Sequence, residues 1–178
     1  MKLKKYSLSI LALLLITFAV TAQENLIRTD PNTSYVNFSI EGENISGTIA
    51  GVDTFIILDK DHLDKSSIQG SATVKTINTG NFIRDKKLLG KKHLNEKEFP
   101  TITFESTNIQ ELEPNVYMVE GDLTIKDITE RIYVEAVFAE DRIQALSHFN
   151  TFDFELSFKG DEHHKVDLYF ELFYPDTE

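Results

Sequence analysis

The 178-residue chain has no cysteine, no tryptophan, only four prolines and only eight glycines. Without cysteine there are no disulfides, thiolate metal sites, cysteine nucleophiles or lipoprotein anchor. Stability must come from a packed core and a hydrogen-bonded sheet. Positive charge is also scarce: 18 Lys and Arg face 29 Asp and Glu, a formal net charge of −11. Such a surface repels phosphate backbones and anionic bilayers, which argues against nucleic-acid binding and general membrane adsorption. Catalytic signatures are missing too. There is no G-x-S-x-G elbow, no phosphate loop and no H-E-x-x-H, so no catalytic residue is assigned.

The one long apolar run lies at the start. Lys2, Lys4 and Lys5 precede the charge-free stretch 10–20, and Val20-Thr21-Ala22 supplies small residues after it. This is the pattern of a secretory signal peptide over 1–22, too short for a comfortable membrane span. Cleavage after Ala22 would leave one domain, 23–178, and take the formal charge from −11 to −14. A cysteine-free exported product fits a bacterial envelope, periplasmic or secreted, with no stable membrane insertion after cleavage.

Beyond the leader, apolar residues alternate with polar ones at period two. Val36, Phe38 and Ile40 open the pattern. Ile68 to Val74, Tyr117 to Ile125, Ile132 to Phe138, Phe152 to Phe158 and Val166 to Leu172 repeat it. Each reads as a half-buried strand. Shorter strands are expected near 45–52, 55–58, 102–109 and 143–149. Turn residues recur at 30–32, 41–44, 113–115, 139–141 and 159–161. Many strands with short connections predict an antiparallel sandwich or barrel. One stretch, 81–97, lacks alternation. It predicts a short helix over 82–89, capped by Asn81 and stopped at Gly90. It also gathers Arg84, Lys86, Lys87, Lys91, Lys92 and Lys97, six of the fifteen cations outside the leader.

Three constellations stand out. A barrel of about eight strands lined with Phe, Leu, Ile and Val would suit a long hydrocarbon, although the same residues could be ordinary core. The basic segment could attract an anionic head group or be a solvated face. Asp161-Glu162-His163-His164 could hold a metal with help from His62, His93 or His148, but such clusters are ordinary in hairpin turns, and no metal site is assigned. Competing functions are a lipid carrier or sequestering protein, an envelope stress or interaction protein with a packed barrel, and an enzyme or metal-binding protein on the same scaffold.

Several motifs of the chain follow the pattern of one known family. The family pattern T-G-x-x-x-R-D-x-x-L is similar to Thr79-Gly80-Asn81-Phe82-Ile83-Arg84-Asp85-Lys86-Lys87-Leu88, and [FY]-P-x-I-x-F-x-S to Phe99-Pro100-Thr101-Ile102-Thr103-Phe104-Glu105-Ser106. Gly121 to Thr129 is similar to G-x-L-T-I-K-G-V-T, and Asp30-Pro31 with Ser34 to Ile40 matches the start. A late N-R-x-D-F-G pattern becomes Asn150-Thr151-Phe152-Asp153-Phe154-Glu155, with Thr151 for Arg and Glu155 for Gly. Together these motifs resemble those of the YceI-like family of periplasmic lipid-binding proteins, and the resemblance implies an all-β, antiparallel, eight-stranded, extended lipocalin-like barrel with one short helical segment. Its tunnel would hold a polyisoprenoid or similar amphipathic lipid, such as a prenyl chain or isoprenoid quinone, with no other cofactor. Expected tunnel residues are Phe38, Ile40, Phe82, Leu88, Phe104, Leu123, Phe138 and Phe154. Arg84, Lys86 and Lys87 form the expected head-group rim. A homodimer is the one protein partner in view.

Overall fold

Period-two alternation is realised most fully in the strand Val116–Ile125, where Tyr117, Val119, Gly121, Leu123 and Ile125 point inward and every second residue outward. The computed structural model describes residues 26–156 and 164–175. Among these are ten antiparallel strands: β1 (Leu26–Arg28), β2 (Tyr35–Ile40), β3 (Ile45–Ala50), β4 (Val52–Ile57), β5 (Ser67–Thr73), β6 (Thr101–Glu113), β7 (Val116–Ile125), β8 (Ile128–Phe138), β9 (Arg142–Asn150) and β10 (Lys165–Phe173). They form one sheet in the order β1-β4-β5-β6-β7-β8-β9-β10-β2-β3. A single helix, α1 (Phe82–Leu88), follows β5. No helix among the described residues is long and apolar enough to cross a membrane. The expected leader, 1–22, lies outside the described residues.

The sheet curls and closes through a bent stave. β3 pairs with β2 and β4 pairs with β5, while Gly51 between them takes φ +70°. That left-handed corner carries the chain from one edge of the sheet to the other and is a glycine conformation. The join is tied by Thr48 and Asn78, which exchange two backbone hydrogen bonds of 2.9 Å. The Thr76 hydroxyl accepts from Ala50 N at 3.0 Å and lies 2.8 Å from Ala50 O. Ten strands replace the expected eight for a local reason. Gly51 splits one stave into β3 and β4, and the three-residue β1 is an extra piece beside β4.

Two expected strand regions differ. Residues 152–156 alternate like a strand, but Thr151–Phe154 forms a 3-10 turn closed by Glu155 at φ +49°. Phe158 and the turn at 159–161 lie outside the described residues. β5 stops at Thr73, and Val74 begins another 3-10 turn while staying buried. The helix meets its sequence expectation. The Asn81 side chain accepts from Ile83 N and Arg84 N at 3.1 and 3.2 Å, the capping role expected of it.

Candidate functional site

Inward-facing side chains of a filled barrel should be fully buried, because cores pack as densely as organic crystals. Here a subset is not. Ile68, Ile102, Phe104, Phe138, Leu168 and Phe170 face inward yet remain only partly buried. All six line internal space.

That space consists of two apolar chambers of about 110 and about 120 Å³. The first runs under β4 to β10, and Thr54 is its buried inward-facing polar residue. The second lies toward α1, with His93 and Thr151 its polar side chains. Ala72, Ile102, Leu123 and Phe170 border both, so the chambers meet at a common waist. Beyond the first chamber, Tyr117 is fully buried and packs edge-on against Phe138, ring centres 5.2 Å apart.

Glycine shapes the walls where rings lie flat. A Cβ on Gly121 would fall 2.3 Å from Phe104 and 2.7 Å from the Glu105 carbonyl oxygen. Gly121 is therefore the seat on which the Phe104 ring rests. Gly47 plays the same part for Phe38, at 2.9 Å.

The second chamber ends beside α1. The helix turns Leu88 into the chamber, while Phe82, Ile83, Lys86 and Lys87 face solvent. This is the 3.6-residue period applied to a short helix. After the helix the chain folds back, with Leu94 N donating to Leu88 O and Glu96 N to Leu89 O, at 2.9 and 3.1 Å. The reversal buries His93 and Leu94 at the chamber end. Outside them is a cleft of about 340 Å³ lined by Ile45, Asn81, Ile83, Arg84, Lys87, Leu88 and His93. Leu88 and His93 border both cleft and chamber, so a basic vestibule adjoins the apolar interior.

Arg84 and Asp85 meet at Thr79. Arg84 Nε donates to Thr79 Oγ1 at 2.9 Å and Nη2 to Thr79 O at 3.0 Å. Asp85 Oδ1 accepts from Thr79 N at 2.9 Å and from Thr79 Oγ1 at 2.5 Å. The Thr-Gly-x-x-x-Arg-Asp motif thus fixes the loop against the helix and holds the guanidinium beside the cleft. His93 has its pKa lowered below the ordinary 6.5, first by burial, then by the charges of Lys87, Lys126 and Lys92. Of these lysines, Lys87 lines the cleft. Lys126, in the β7–β8 turn, donates from Nζ to Glu155 O at 3.4 Å.

Of the expected tunnel residues, Phe38, Ile40, Leu88, Phe104, Leu123 and Phe138 sit on chamber walls. Two do not. Phe82 is 73% exposed, because the first helical position after Asn81 falls on the solvent face. Phe154 is fully buried behind the wall, edge-on to Phe149 with ring centres 5.0 Å apart. Of the expected rim, Arg84 and Lys87 line the cleft, whereas Lys86 stands off it, 5.3 Å from the Phe82 ring centre. Ile77, Leu94 and Phe170 were not among the expected tunnel residues, and His93 was named only as a possible metal ligand. Phe170 carried the alternation signal, but His93 and Leu94 lie in a reversal without periodicity. Of the acidic and histidine cluster, 161–163 lie outside the described residues. His164 Nδ1 lies 3.1 Å from Glu41 O and Nε2 3.6 Å from Glu43.

The family model described as YceI-like domain matches residues 28–172. A UPF0312 protein of Photorhabdus laumondii is 27% identical over 128 residues, covering 70% of this chain and 66% of the relative. A UPF0312 protein of Azotobacter vinelandii is 26% identical over 66% of this chain and 62% of the relative. The matched stretch therefore spans slightly under two thirds of those relatives. Among solved structures, Burkholderia cenocepacia BcnA superposes with a TM-score of 0.72 at 21% identity, covering 81% of this chain and 98% of that one. A polyisoprenoid binding domain from Saccharophagus degradans superposes with a TM-score of 0.60 at 14% identity, covering 84% and 99%. At such identities the likeness is one of fold.

Proposed function

The chain belongs to the YceI-like domain family, and from that premise we propose that it binds one long amphipathic lipid of the polyisoprenoid class and does no chemistry on it. The hydrocarbon occupies the two joined chambers, and the head lies in the cleft beside Arg84, Lys87 and His93. The protein acts as a carrier or sequestering protein in the bacterial envelope, after removal of residues 1–22.

The observation that carries the reading is the ring of inward apolar side chains that keep accessible surface around contiguous space. A wall of this composition gives a substrate few polar handles, whereas a hydrocarbon needs none. The basic vestibule supplies charge-assisted hydrogen bonds to an anionic head. The Saccharophagus degradans neighbour, described as a polyisoprenoid binding domain, supports the same ligand class.

Native mass spectrometry of the protein purified without detergent tests the reading, followed by organic extraction of what it carries. A prenyl lipid recovered in stoichiometric amount is the expected result. Protein that arrives without lipid and binds none when offered prenyl alcohol or prenyl phosphate overturns it. Comparing those two ligands also identifies the head: selective weakening of the phosphate by Lys87→Glu at low salt assigns an anionic head. Equal binding of both assigns a neutral one, such as an alcohol or a quinone. N-terminal sequencing of the exported protein, expected to begin at Gln23, tests the leader.

A further inference from the structure

The solvent face of α1 is unusual for an acidic protein. Phe82 and Ile83 are 73% and 80% exposed on consecutive positions, side by side at the barrel mouth. One turn later stand Lys86 and Lys87, both exposed, followed by exposed Lys91 and Lys92. Over 84–92 five cations face the single acid Asp85, which is engaged with Thr79. Lys126 adds charge from the neighbouring turn. The rest of the surface is strongly negative, as the chain total of −11 requires. Ile83 and Lys87 also line the cleft that leads to the second chamber.

We propose that this face of α1 docks the barrel mouth on an anionic lipid bilayer, with Phe82 and Ile83 entering the head-group layer and the lysines meeting lipid phosphates. A large apolar pair flanked by lysines is the composition of an interfacial anchor, and its strength grows with buried apolar area and anionic lipid content. The acidic remainder has a part in this. Repulsion turns every other face away from the membrane, so the field orients the molecule mouth first. A lipid tail then passes between bilayer and chamber through the cleft without crossing bulk water. The purpose rests on the lipid-binding reading, but the docking itself does not require an occupied chamber.

The chain contains no tryptophan, so Phe82→Trp places a single reporter at the contact. Vesicles of phosphatidylcholine alone are compared with vesicles containing phosphatidylglycerol, by fluorescence and by co-sedimentation. Every variant keeps the wild-type N-terminus, so differences report the patch. The expected result is a blue shift of the Phe82→Trp emission with anionic vesicles only, reversed by salt. Tyr133→Trp, on the outer wall at 58% exposure, should show none. Replacing both residues, Phe82→Ser with Ile83→Ser, should weaken sedimentation about tenfold or more while leaving the circular dichroism unchanged. Reversing Lys86, Lys87, Lys91 and Lys92 to Glu should abolish it at low salt. A folded wild type that ignores anionic vesicles overturns the proposal, as expected if a protein partner covers this face instead. So does binding that survives both sets of substitutions, or an equal shift at position 133. Vesicle binding without recovered lipid overturns only the proposed function. Recovered lipid without vesicle binding overturns only the docking.

Discussion

Ala72→Phe tests whether the two chambers form one tunnel. Ala72 lies on β5 opposite Val52 and Ile102, and with Ile102, Leu123 and Phe170 it borders both chambers. An apolar cavity of about 150 Å³ accommodates a benzene, so a phenyl group at the waist is on the scale of either chamber, about 110 and about 120 Å³. The ring should enter existing space and change the melting temperature little. In a filled core the same substitution costs about 1–3 kcal/mol through overpacking. Binding should respond differently. Blocking the waist expels part of a long tail, and about 0.8 kcal/mol is lost per methylene returned to water. Four such groups amount to about 3 kcal/mol, more than a hundredfold in affinity. A short prenyl alcohol confined to the second chamber should bind nearly as before. Displacement assays with a short and a long prenyl alcohol, beside thermal melts, read all three quantities. Unchanged affinity for the long chain in a folded variant refutes the joined tunnel, and a strongly destabilised variant refutes the space at the waist.

Three further outcomes are expected. Phe154→Ala should cost about 3–5 kcal/mol in urea unfolding, because the ring is fully buried against Phe149, whereas Phe82→Ser should change stability by no more than about 0.5 kcal/mol. Glu155→Gly should stabilise the fold by about 1 kcal/mol by relieving a left-handed residue, partly offset by the greater freedom of glycine when unfolded. Burial and the nearby lysines hold the folded pKa of His93 below its ordinary 6.5, so below that pH the unfolded chain binds more protons than the folded one. Stability should therefore fall as pH drops through 6.5 and level off below the folded value. His93→Gln should remove that part of the slope in urea titrations made on either side of pH 6.5.

How far the sequence carried the fold depends on where local pattern and tertiary demand agree. In β7 they agree at every residue, since a strand with one face on the interior must alternate. At 152–156 they part. The alternating Phe152, Phe154 and Leu156 imitate a strand, but Thr151 is drawn into a turn by His164, whose backbone N donates to its hydroxyl at 3.2 Å. The bond spans thirteen residues, so no window on the sequence contains its cause. The family's glycine position offered a better clue. Glu155 stands there, and its φ of +49° shows why glycine suits the site. The chamber walls were legible where they follow strands, as at Phe38, Phe104 and Leu123. Phe154 and Phe170 carry the same inward signal, and only packing puts one behind the wall and the other on it. The vestibule was half legible. Arg84 and Lys87 came from composition and motif, whereas His93 and Leu94 are placed by a reversal held by backbone bonds to Leu88 and Leu89.

The bent stave at Gly51 also bears on capacity. Every other neighbouring pair around the barrel is laced by a ladder of several residue pairs, interrupted between β6 and β7 by two register shifts, while β3 meets the chain beyond β5 through one bridge and one threonine hydroxyl. Widening the cylinder at that seam would part the two Thr48–Asn78 backbone hydrogen bonds and the Thr76 contacts to Ala50, without disturbing the register of β5 to β10. If the proposed function holds, tails of different thickness would share one set of wall residues, and the width accepted would depend on Thr48, Thr76 and Asn78, none of which lines a chamber.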